Sequence, residues 1–292
     1  MSSAIVLPDV VPTRVRPHAR RETLRLLLRS KTFVVGSAIF SWWVFCAFFG
    51  FAIAPHDPTG ITPSTLVGPS WHHLFGTDTL GEDVFSRVLA GARSILTIAP
   101  LATALAIVAG TTLGLLTGYM RGAVDDIVSR MTEALLAIPL IVLAITIVVA
   151  IGHSTAAIVI VVGVLFTPLV ARTVRAAVLA ERELDYVPAA RLRGERAPYI
   201  MFVEILPNVT GPIIVEATVR LGYAVFTIAG LSFLGLGVQP PTPDWAADIS
   251  NNYNLLESGT YWWTVLFGAL AIASLVIAIN LIADGITQVL ER

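Results

Sequence analysis

Residues 33–54 read FVVGSAIFSWWVFCAFFGFAIA, an apolar run that carries no charged side chain. About 20 apolar residues in a helix cross the hydrocarbon core of a bilayer, so this run can span one and is too long for the apolar part of a signal peptide. The whole composition agrees, because 55% of the 292 residues are hydrophobic and only 13% are charged. A soluble protein this apolar would lack the polar surface that water requires. The chain is therefore predicted to lie in a membrane, and its net charge of −1 indicates no nucleic-acid partner.

Five further apolar runs follow the first one. The sequence thus predicts an all-α, polytopic membrane protein with six transmembrane helices: Phe33–Ala54, Ile95–Gly118, Ala134–Ile151, Ala156–Ala171, Ile205–Leu234 and Thr264–Ile282. The fourth span is short unless Thr173–Ala180 continues it as a helix. Prolines inside the runs, such as Pro139, are tolerated in packed membrane helices. The spacing of Gly110 and Gly114 indicates a close contact between helices.

Basic residues lie preferentially at one end of these spans. Seven precede the first span and six lie between Arg172 and Arg196, whereas residues 237–263 contain none. Cytoplasmic loops are enriched in Lys and Arg, so we expect the N-terminal segment 1–32, the loop 172–204 and both termini to be cytoplasmic. The loop 55–94 then lies outside, and residues 33–292 form one transmembrane domain. No cleavable signal peptide is expected before the first span.

The loop 172–204 has the pattern of a short helix. Pro188 suits a first helical turn, the small residues Ala189 and Ala190 follow it, and Gly194 is placed to end the helix. Small side chains leave a smooth surface that could fit closely into a groove on another protein.

This loop carries a resemblance to a known family. The stretch YVPAARLRG (Tyr186–Gly194), followed by ILPN (Ile205–Asn208), resembles the cytoplasmic-loop signature of permeases from binding-protein-dependent ABC importers. Three other segments are similar to the dipeptide, oligopeptide and nickel group of these permeases and recur in the expected order: FGTDTLGEDVFSR with GAR (residues 75–93), LSFLGLGVQPPTPDW (residues 231–245) and NLIAD (residues 280–284). Three positions depart from the family pattern. The family usually has Glu at the position of Pro188 and Arg at the position of Glu82, and it often has Glu at the position of Ile228.

The resemblance implies a type I ABC importer permease fold in the plasma membrane of a prokaryote. The implied partners are a second homologous permease subunit, two ATPase subunits, an extracytoplasmic substrate-binding protein and the surrounding membrane lipid. The short helix would then dock on an ATPase subunit, through residues that match the family's coupling segment: Tyr186, Ala189, Ala190, Arg191, Gly194 and Pro207. The implied substrates are di- or oligopeptides, with nickel or another small solute as the alternative.

Catalytic motifs are missing from the sequence. The chain has no Gly-x-x-x-x-Gly-Lys-Ser/Thr loop, so ATP and Mg²⁺ are expected on the ATPase subunits and no cofactor is expected in this chain. It also lacks His-Glu-x-x-His and Gly-x-Ser-x-Gly, which argues against a membrane-embedded hydrolase. A secondary transporter stays open as a rival, although it would not need an ATPase-docking loop. His72 and His73 are adjacent and cannot easily fill one tetrahedral site, so no metal site is predicted.

Charged residues in two other places have more than one interpretation. Glu216 and Arg220 are four residues apart on the fifth span, so they can pair, and they either line the translocation path or form a structural ion pair between helices. The outer segment 75–93 has an amphipathic pattern before the second span. We expect it to form a helix at the membrane surface, capped by Thr79 and Glu82, with Glu82, Asp83 and Arg87 facing water.

Overall fold

The computed structural model describes residues 25–152 and 154–290. Within these residues the chain is helical, with one isolated bridge between Thr77 and Asp83. The elements are α1 (Lys31–Ile53), α2 (Val84–Met120), α3 (Ala123–Leu136), α4 (Leu140–Ile151), α5 (Thr155–Arg182), α6 (Tyr186–Leu192), α7 (Ala197–Tyr199), a π-helical segment (Ile200–Ile205), α8 (Thr210–Phe233), α9 (Trp245–Asn252), a 3₁₀ segment (Tyr253–Ser258) and α10 (Trp263–Leu290). Most of the predicted segment 1–32 falls outside the described residues.

Five of the described helices, α1, α2, α5, α8 and α10, are long and apolar enough to cross a membrane. The number reaches six if α3 and α4 are taken as one broken span. Helix α2 has 37 residues, which at 1.5 Å per residue is about 55 Å and exceeds the hydrocarbon core of about 30 Å. Helix α5 runs to Arg182, so Thr173–Ala180 does continue the fourth span as a helix and the span is long enough to cross.

The centre of the fold is a close contact between α2 and α5. Glycines spaced four residues apart on α2 face valines with the same spacing on α5. The pairs are Gly110 with Val170, Gly114 with Val174 and Gly118 with Val178. A Cβ atom at these glycines would lie 2.5, 2.7 and 2.8 Å from the valine Cβ atoms, so only glycine permits this approach. The helix contact predicted from Gly110 and Gly114 is confirmed, and it extends by one further turn.

The predicted third span, Ala134–Ile151, is not a continuous helix. Helix α3 ends at Leu136, α4 begins at Leu140, and the two axes meet at 89°. Pro139 lies at the break, and a proline both lacks an N–H donor and disfavours a helical conformation in the residue before it. The prediction treated Pro139 as a tolerated proline inside a span, and that was wrong.

The fifth span also starts later than predicted. The chain passes from the π-helical segment through a turn at residues 206–209, and α8 begins only at Thr210. The predicted start at Ile205 therefore belongs to the π-helical segment that precedes the span. The end at Phe233 agrees with the predicted end at Leu234 to within one residue.

Contacts between loops define the two ends of the helix bundle. At one end, Trp263 Nε1 donates a hydrogen bond to the carbonyl oxygen of Thr77 at 3.1 Å, which joins the loop after α1 to the start of α10. At the other end, Arg121 Nη2 lies 2.7 Å from Glu183 Oε1, which joins the end of α2 to the end of α5. These contacts match the predicted alternation of the loops. The first end is called the outer end below and the second the inner end, after the predicted orientation.

Candidate functional site

The loop after α5 folds into the short helix α6. Pro188 is its third residue, where the missing N–H removes no helical hydrogen bond. A Schellman turn ends the helix: Glu195 N donates to Ala190 O at 3.2 Å and Gly194 N donates to Arg191 O at 3.0 Å. Gly194 has a φ of +79°, a left-handed conformation that glycine adopts without strain. The prediction that Gly194 ends this helix is confirmed.

The two faces of α6 have different surroundings. Val187 and Ala190 are fully buried, on a helix that packs against the π-helical segment. Ala189 is exposed, and Leu192 is 90% exposed, which is unusual for a leucine. Ala190, which the family resemblance groups with the docking residues, therefore faces the chain's own interior and supports the exposed face from beneath. Leu192 was missed, although a leucine among small residues on a surface helix is a recognisable signal.

Side-chain contacts fix α6 to two long helices. Tyr186 donates a hydrogen bond from its hydroxyl to Glu181 Oε2, near the end of α5, at 2.7 Å. Burial and this hydrogen bond raise the pKa of Tyr186 to about 12, so the phenol keeps its proton. Arg191 Nε donates to the Tyr119 hydroxyl on α2 at 3.3 Å, and the guanidinium lies 5.0 Å from the centre of that ring. Two residues of the predicted docking set, Tyr186 and Arg191, thus hold the helix in place.

Pro207 and Gly194 lie in turns at the inner end. Pro207 is exposed, and its carbonyl oxygen accepts a hydrogen bond from Thr210 Oγ1 at 2.8 Å, which starts α8. Gly194 is exposed, and no atom of residues 25–152 or 154–290 lies within 4 Å of the place where its side chain would begin. The inner end therefore presents an exposed face on the rim of the bundle, with Ala189 and Leu192 at its centre.

Glu216 and Arg220 form an ion pair on α8. Arg220 Nε lies 2.6 Å from Glu216 Oε1, and Thr173 Oγ1 on α5 donates to Glu216 Oε2 at 3.2 Å. The pair therefore links α8 to α5. An apolar cavity of about 430 Å³ lies beside α8 and is lined there by Ala217, Thr218 and Leu221, without the ion pair. The contacts show an ion pair that joins two helices, and the lining of a path stays a prediction for these two residues.

The outer segment 75–93 does not have the predicted exposure. Helix α2 begins at Val84, and Asp83 caps it by accepting a hydrogen bond from Ser86 N at 2.8 Å, so Thr79 and Glu82 do not form the cap. Glu82, Asp83 and Arg87 are 5%, 2% and 7% exposed. The expectation that these charges face water was wrong, because the outer loop and α9 fold over them.

Arg87 is the centre of this buried charge cluster. Its guanidinium makes two hydrogen bonds to Asp248 on α9, at 2.6 and 3.1 Å, and one to the carbonyl oxygen of Pro58 at 3.0 Å. Glu82 Oε1 lies 2.8 Å from Arg87 Nη1. Burial raises the pKa of Glu82 to about 7 and the pKa of Asp248 to about 6, even though Arg87 acts in the opposite direction. One cation thus holds two carboxylates that would otherwise be costly to bury.

Two separate sequence motifs meet beside this cluster. Trp245, which ends the motif at residues 231–245, donates a hydrogen bond from Nε1 to Val88 O at 2.8 Å. Its ring also covers Gly91, where a Cβ atom would lie 2.6 Å from Trp245 Cδ1. The motif at residues 75–93 therefore needs a glycine where the other motif supplies a tryptophan. The two motifs therefore pack directly against each other in the fold.

Known proteins resemble this chain in sequence. The family model for the inner membrane component of binding-protein-dependent transport systems matches residues 110–292, a range that contains α6 and the Trp245 motif. The chain belongs to this family. The permease therefore has the type I ABC permease fold, and it is a multi-pass membrane protein.

Relatives cover nearly the whole permease. It is 38% identical over 285 residues to the dipeptide transport system permease protein DppC of Alkalihalophilus pseudofirmus, which covers 97% of this chain and 92% of the relative. It is 36% identical over 291 residues to the di/tripeptide transport system permease protein DppC of Pseudomonas aeruginosa, covering 97% and 95%. It is also 36% identical over 273 residues to the glutathione transport system permease protein GsiD of Pectobacterium atrosepticum, covering 93% and 90%. The outer segment before residue 110 is thus shared with these relatives as well.

Proposed function

We propose that this chain is the permease subunit of an ATP-driven importer for di- or oligopeptides, and that it forms one half of the translocation path. The substrate class is supported by the relatives, whose names refer to dipeptides, di- and tripeptides, and glutathione. The proposed assembly contains a second homologous permease, two ATPase subunits that carry ATP and Mg²⁺, and an extracytoplasmic binding protein. Both chain termini lie in the cytoplasm.

The observation that carries this proposal is the exposed face of α6. A leucine that is 90% exposed, beside an exposed alanine and next to an open turn at Gly194, forms a surface that no other described residue covers. Large apolar side chains at the centre of such patches commonly mark protein contacts. The basic residues around α6 support a cytoplasmic position for this face, where an ATPase subunit would meet it.

The anchors of α6 supply a route for coupling. Tyr186 joins the helix to α5 and Arg191 joins it to α2, the two helices that meet along the glycine–valine contact. Closely packed helices move together because their interface does not deform continuously. A displacement of α6 by an ATPase subunit would therefore move α2 and α5 as a unit and change the path between the two permeases.

The test compares two neighbouring alanines. Ala189→Trp adds a large side chain to the exposed face, so it should leave insertion and the unfolding midpoint unchanged while it weakens association with the ATPase subunit and abolishes uptake. Ala190→Trp adds the same side chain to a buried position and should destabilise the permease itself by overpacking. Copurification of the ATPase and uptake of labelled peptide measure the two effects. Normal ATPase association in a well-folded Ala189→Trp variant would contradict the docking role.

The substrate class has a separate test. Peptide and nickel importers differ in the ligand of their binding protein, so the binding protein that copurifies with the permease should be analysed by mass spectrometry and metal analysis. Bound peptides would support the proposal. Bound nickel without peptide would replace the substrate class and leave the coupling role intact. Uptake that continues without any ATPase subunit would favour a secondary transporter.

A further inference from the structure

Two histidines and an aspartate converge at the outer end of the permease. His56 follows α1 by three residues, His73 lies in the loop, and Asp83 caps α2. His73 Nδ1 lies 2.8 Å from Asp83 Oδ1, and His56 Nδ1 lies 3.7 Å from the same oxygen. One potential ligand atom from each of the three residues lies within 4.8 Å of the others. The three side chains therefore surround one small volume.

His56 makes this cluster more than a hydrogen-bonded pair. Its Nδ1 atom is buried and has no hydrogen-bond partner in the described part of the chain, although it faces Asp83. A buried polar atom without a partner is costly, and each such atom in a native fold requires an explanation. A ligand that accepts a nitrogen lone pair beside a carboxylate would satisfy it.

The surroundings of Asp83 fit the same explanation. Its second oxygen, Oδ2, accepts hydrogen bonds from Ser86 N at 2.8 Å and from Ser86 Oγ at 2.7 Å, which leaves Oδ1 directed at the histidines. Metal-binding carboxylates are held by outer hydrogen bonds of this kind. The backbone N–H of His56 also donates to Ser86 Oγ at 3.2 Å, so one serine orients two of the three groups.

We propose that His56, His73 and Asp83 form a binding site for a divalent cation of the Zn²⁺ class. Zn²⁺ bound to nitrogen and oxygen ligands at about 2.0–2.1 Å places neighbouring ligand atoms about 3.3 Å apart. The separation of 3.7 Å between His56 and Asp83 is close to that value, and the separation of 2.8 Å between His73 and Asp83 would open slightly as their hydrogen bond is replaced. Imidazole and carboxylate ligands suit this class of cation.

The fourth ligand would be water, because the site opens to the surface. The His56 side chain is 37% exposed and the His73 side chain is 15% exposed, so a cation can enter from the outer side. The proposed ligands are spread along the loop between α1 and α2: His56 lies near its start, His73 lies further along it, and Asp83 is its last residue. The bound cation therefore fastens that loop to the start of α2 and stabilises the outer end by binding only the folded chain. This site does not depend on the substrate or on the ATPase partner of the permease.

The experiment measures Zn²⁺ binding to the full chain, purified in detergent with a tag that contains no histidine. We expect one Zn²⁺ per chain in a competition assay against a chelator, a four-coordinate visible spectrum when Co²⁺ replaces Zn²⁺, and a higher unfolding midpoint with Zn²⁺ present. His56→Phe keeps a ring against His73, whose centre lies 4.8 Å away, and removes one ligand. It should weaken Zn²⁺ binding by more than about 10-fold, since loss of even an outer partner of a ligand typically costs about 10–100-fold.

The matched control is His72→Phe. His72 is exposed, lies outside the cluster and is adjacent to His73 in the sequence, so this variant should bind Zn²⁺ as the unchanged chain does. The proposal is overturned if the unchanged chain binds no stoichiometric Zn²⁺. It is equally overturned if His56→Phe and His72→Phe bind with the same affinity, or if Zn²⁺ raises the unfolding midpoint of both by the same amount.

Discussion

Replacing Arg87 tests whether the buried charges at the outer end are held by a single cation. In Arg87→Met, Asp248 loses a bidentate partner and Glu82 loses an ion pair at 2.8 Å, while a side chain of similar length fills the space. Breaking a buried ion pair by removing one partner costs about 3–5 kcal/mol. Arg93→Met is the matched control, because Arg93 is exposed on the same helix and an exposed substitution changes stability by only about 0.5 kcal/mol.

The assay is equilibrium unfolding of the purified permease in mixed micelles. Asp248→Asn and the double variant complete a double-mutant cycle. The stability loss of the double variant should be smaller than the sum of the two single losses by about 1 kcal/mol or more. Additive effects, or an Arg87→Met variant as stable as Arg93→Met, would refute the reasoning that Arg87 balances these carboxylates.

The same variant should respond to pH with a defined sign. The pKa values of Glu82 and Asp248 are raised in the folded chain to about 7 and about 6, from ordinary values of 4.5 and 3.8. At a pH between the ordinary and the raised pKa of each group, the folded chain therefore binds more protons than the unfolded chain. Lowering the pH through this range increases the contribution of these groups to stability. Without Arg87 both carboxyls would be harder to ionise. The loss of unfolding free energy in Arg87→Met, relative to the unchanged chain, should therefore shrink as the pH is lowered from about 8 to about 5. A stability loss that stays constant or grows on acidification would contradict the raised pKa values of Glu82 and Asp248.

Two further substitutions test contacts within the membrane domain. Gly91→Val should clash with the buried ring of Trp245 and destabilise the permease by about 1–3 kcal/mol, as measured by the unfolding midpoint, and unchanged stability would contradict the motif contact. Glu216→Gln should leave Arg220 without its counter-charge and lower the unfolding midpoint, whereas adding Arg220→Met should restore much of it. A well-folded double variant that has lost uptake would instead favour a role of this pair in the path.

Much of the membrane architecture could be predicted from residues that act locally. Apolar run length sets where a helix can cross a bilayer, so the positions of the spans agree with α1, α2, α5, α8 and α10. The spacing of Gly110 and Gly114 predicted a close contact, because a small residue every four positions marks one face of a helix. The signals for α6 were equally local, since Pro188 and Gly194 act within their own turns.

The incorrect prediction that Glu82, Asp83 and Arg87 face water concerned contacts between distant parts of the chain. Arg87 was expected in water because its main partner, Asp248, is 161 residues away in sequence and no local pattern connects them. His56 and Asp83 likewise approach His73 only through the fold, and the adjacent His72 gives no local sign of that cluster. The break at Pro139 was visible in the sequence, but hydropathy alone does not distinguish a tolerated proline from one that separates two helices.

The central claim is that the exposed face of α6 contacts an ATPase subunit, and site-directed cross-linking tests it most directly. Cys46 is the single cysteine of the chain, so a Cys46→Ala background allows one new thiol at a time. Leu192→Cys places the thiol on α6, and Leu80→Cys, at an exposed position of the outer end, is the control. In a complex that still transports substrate, a short thiol-to-amine reagent should join position 192 to the ATPase subunit and should not join position 80. A transport-competent complex with no cross-link from position 192, or with equal cross-linking from position 80, would contradict the account.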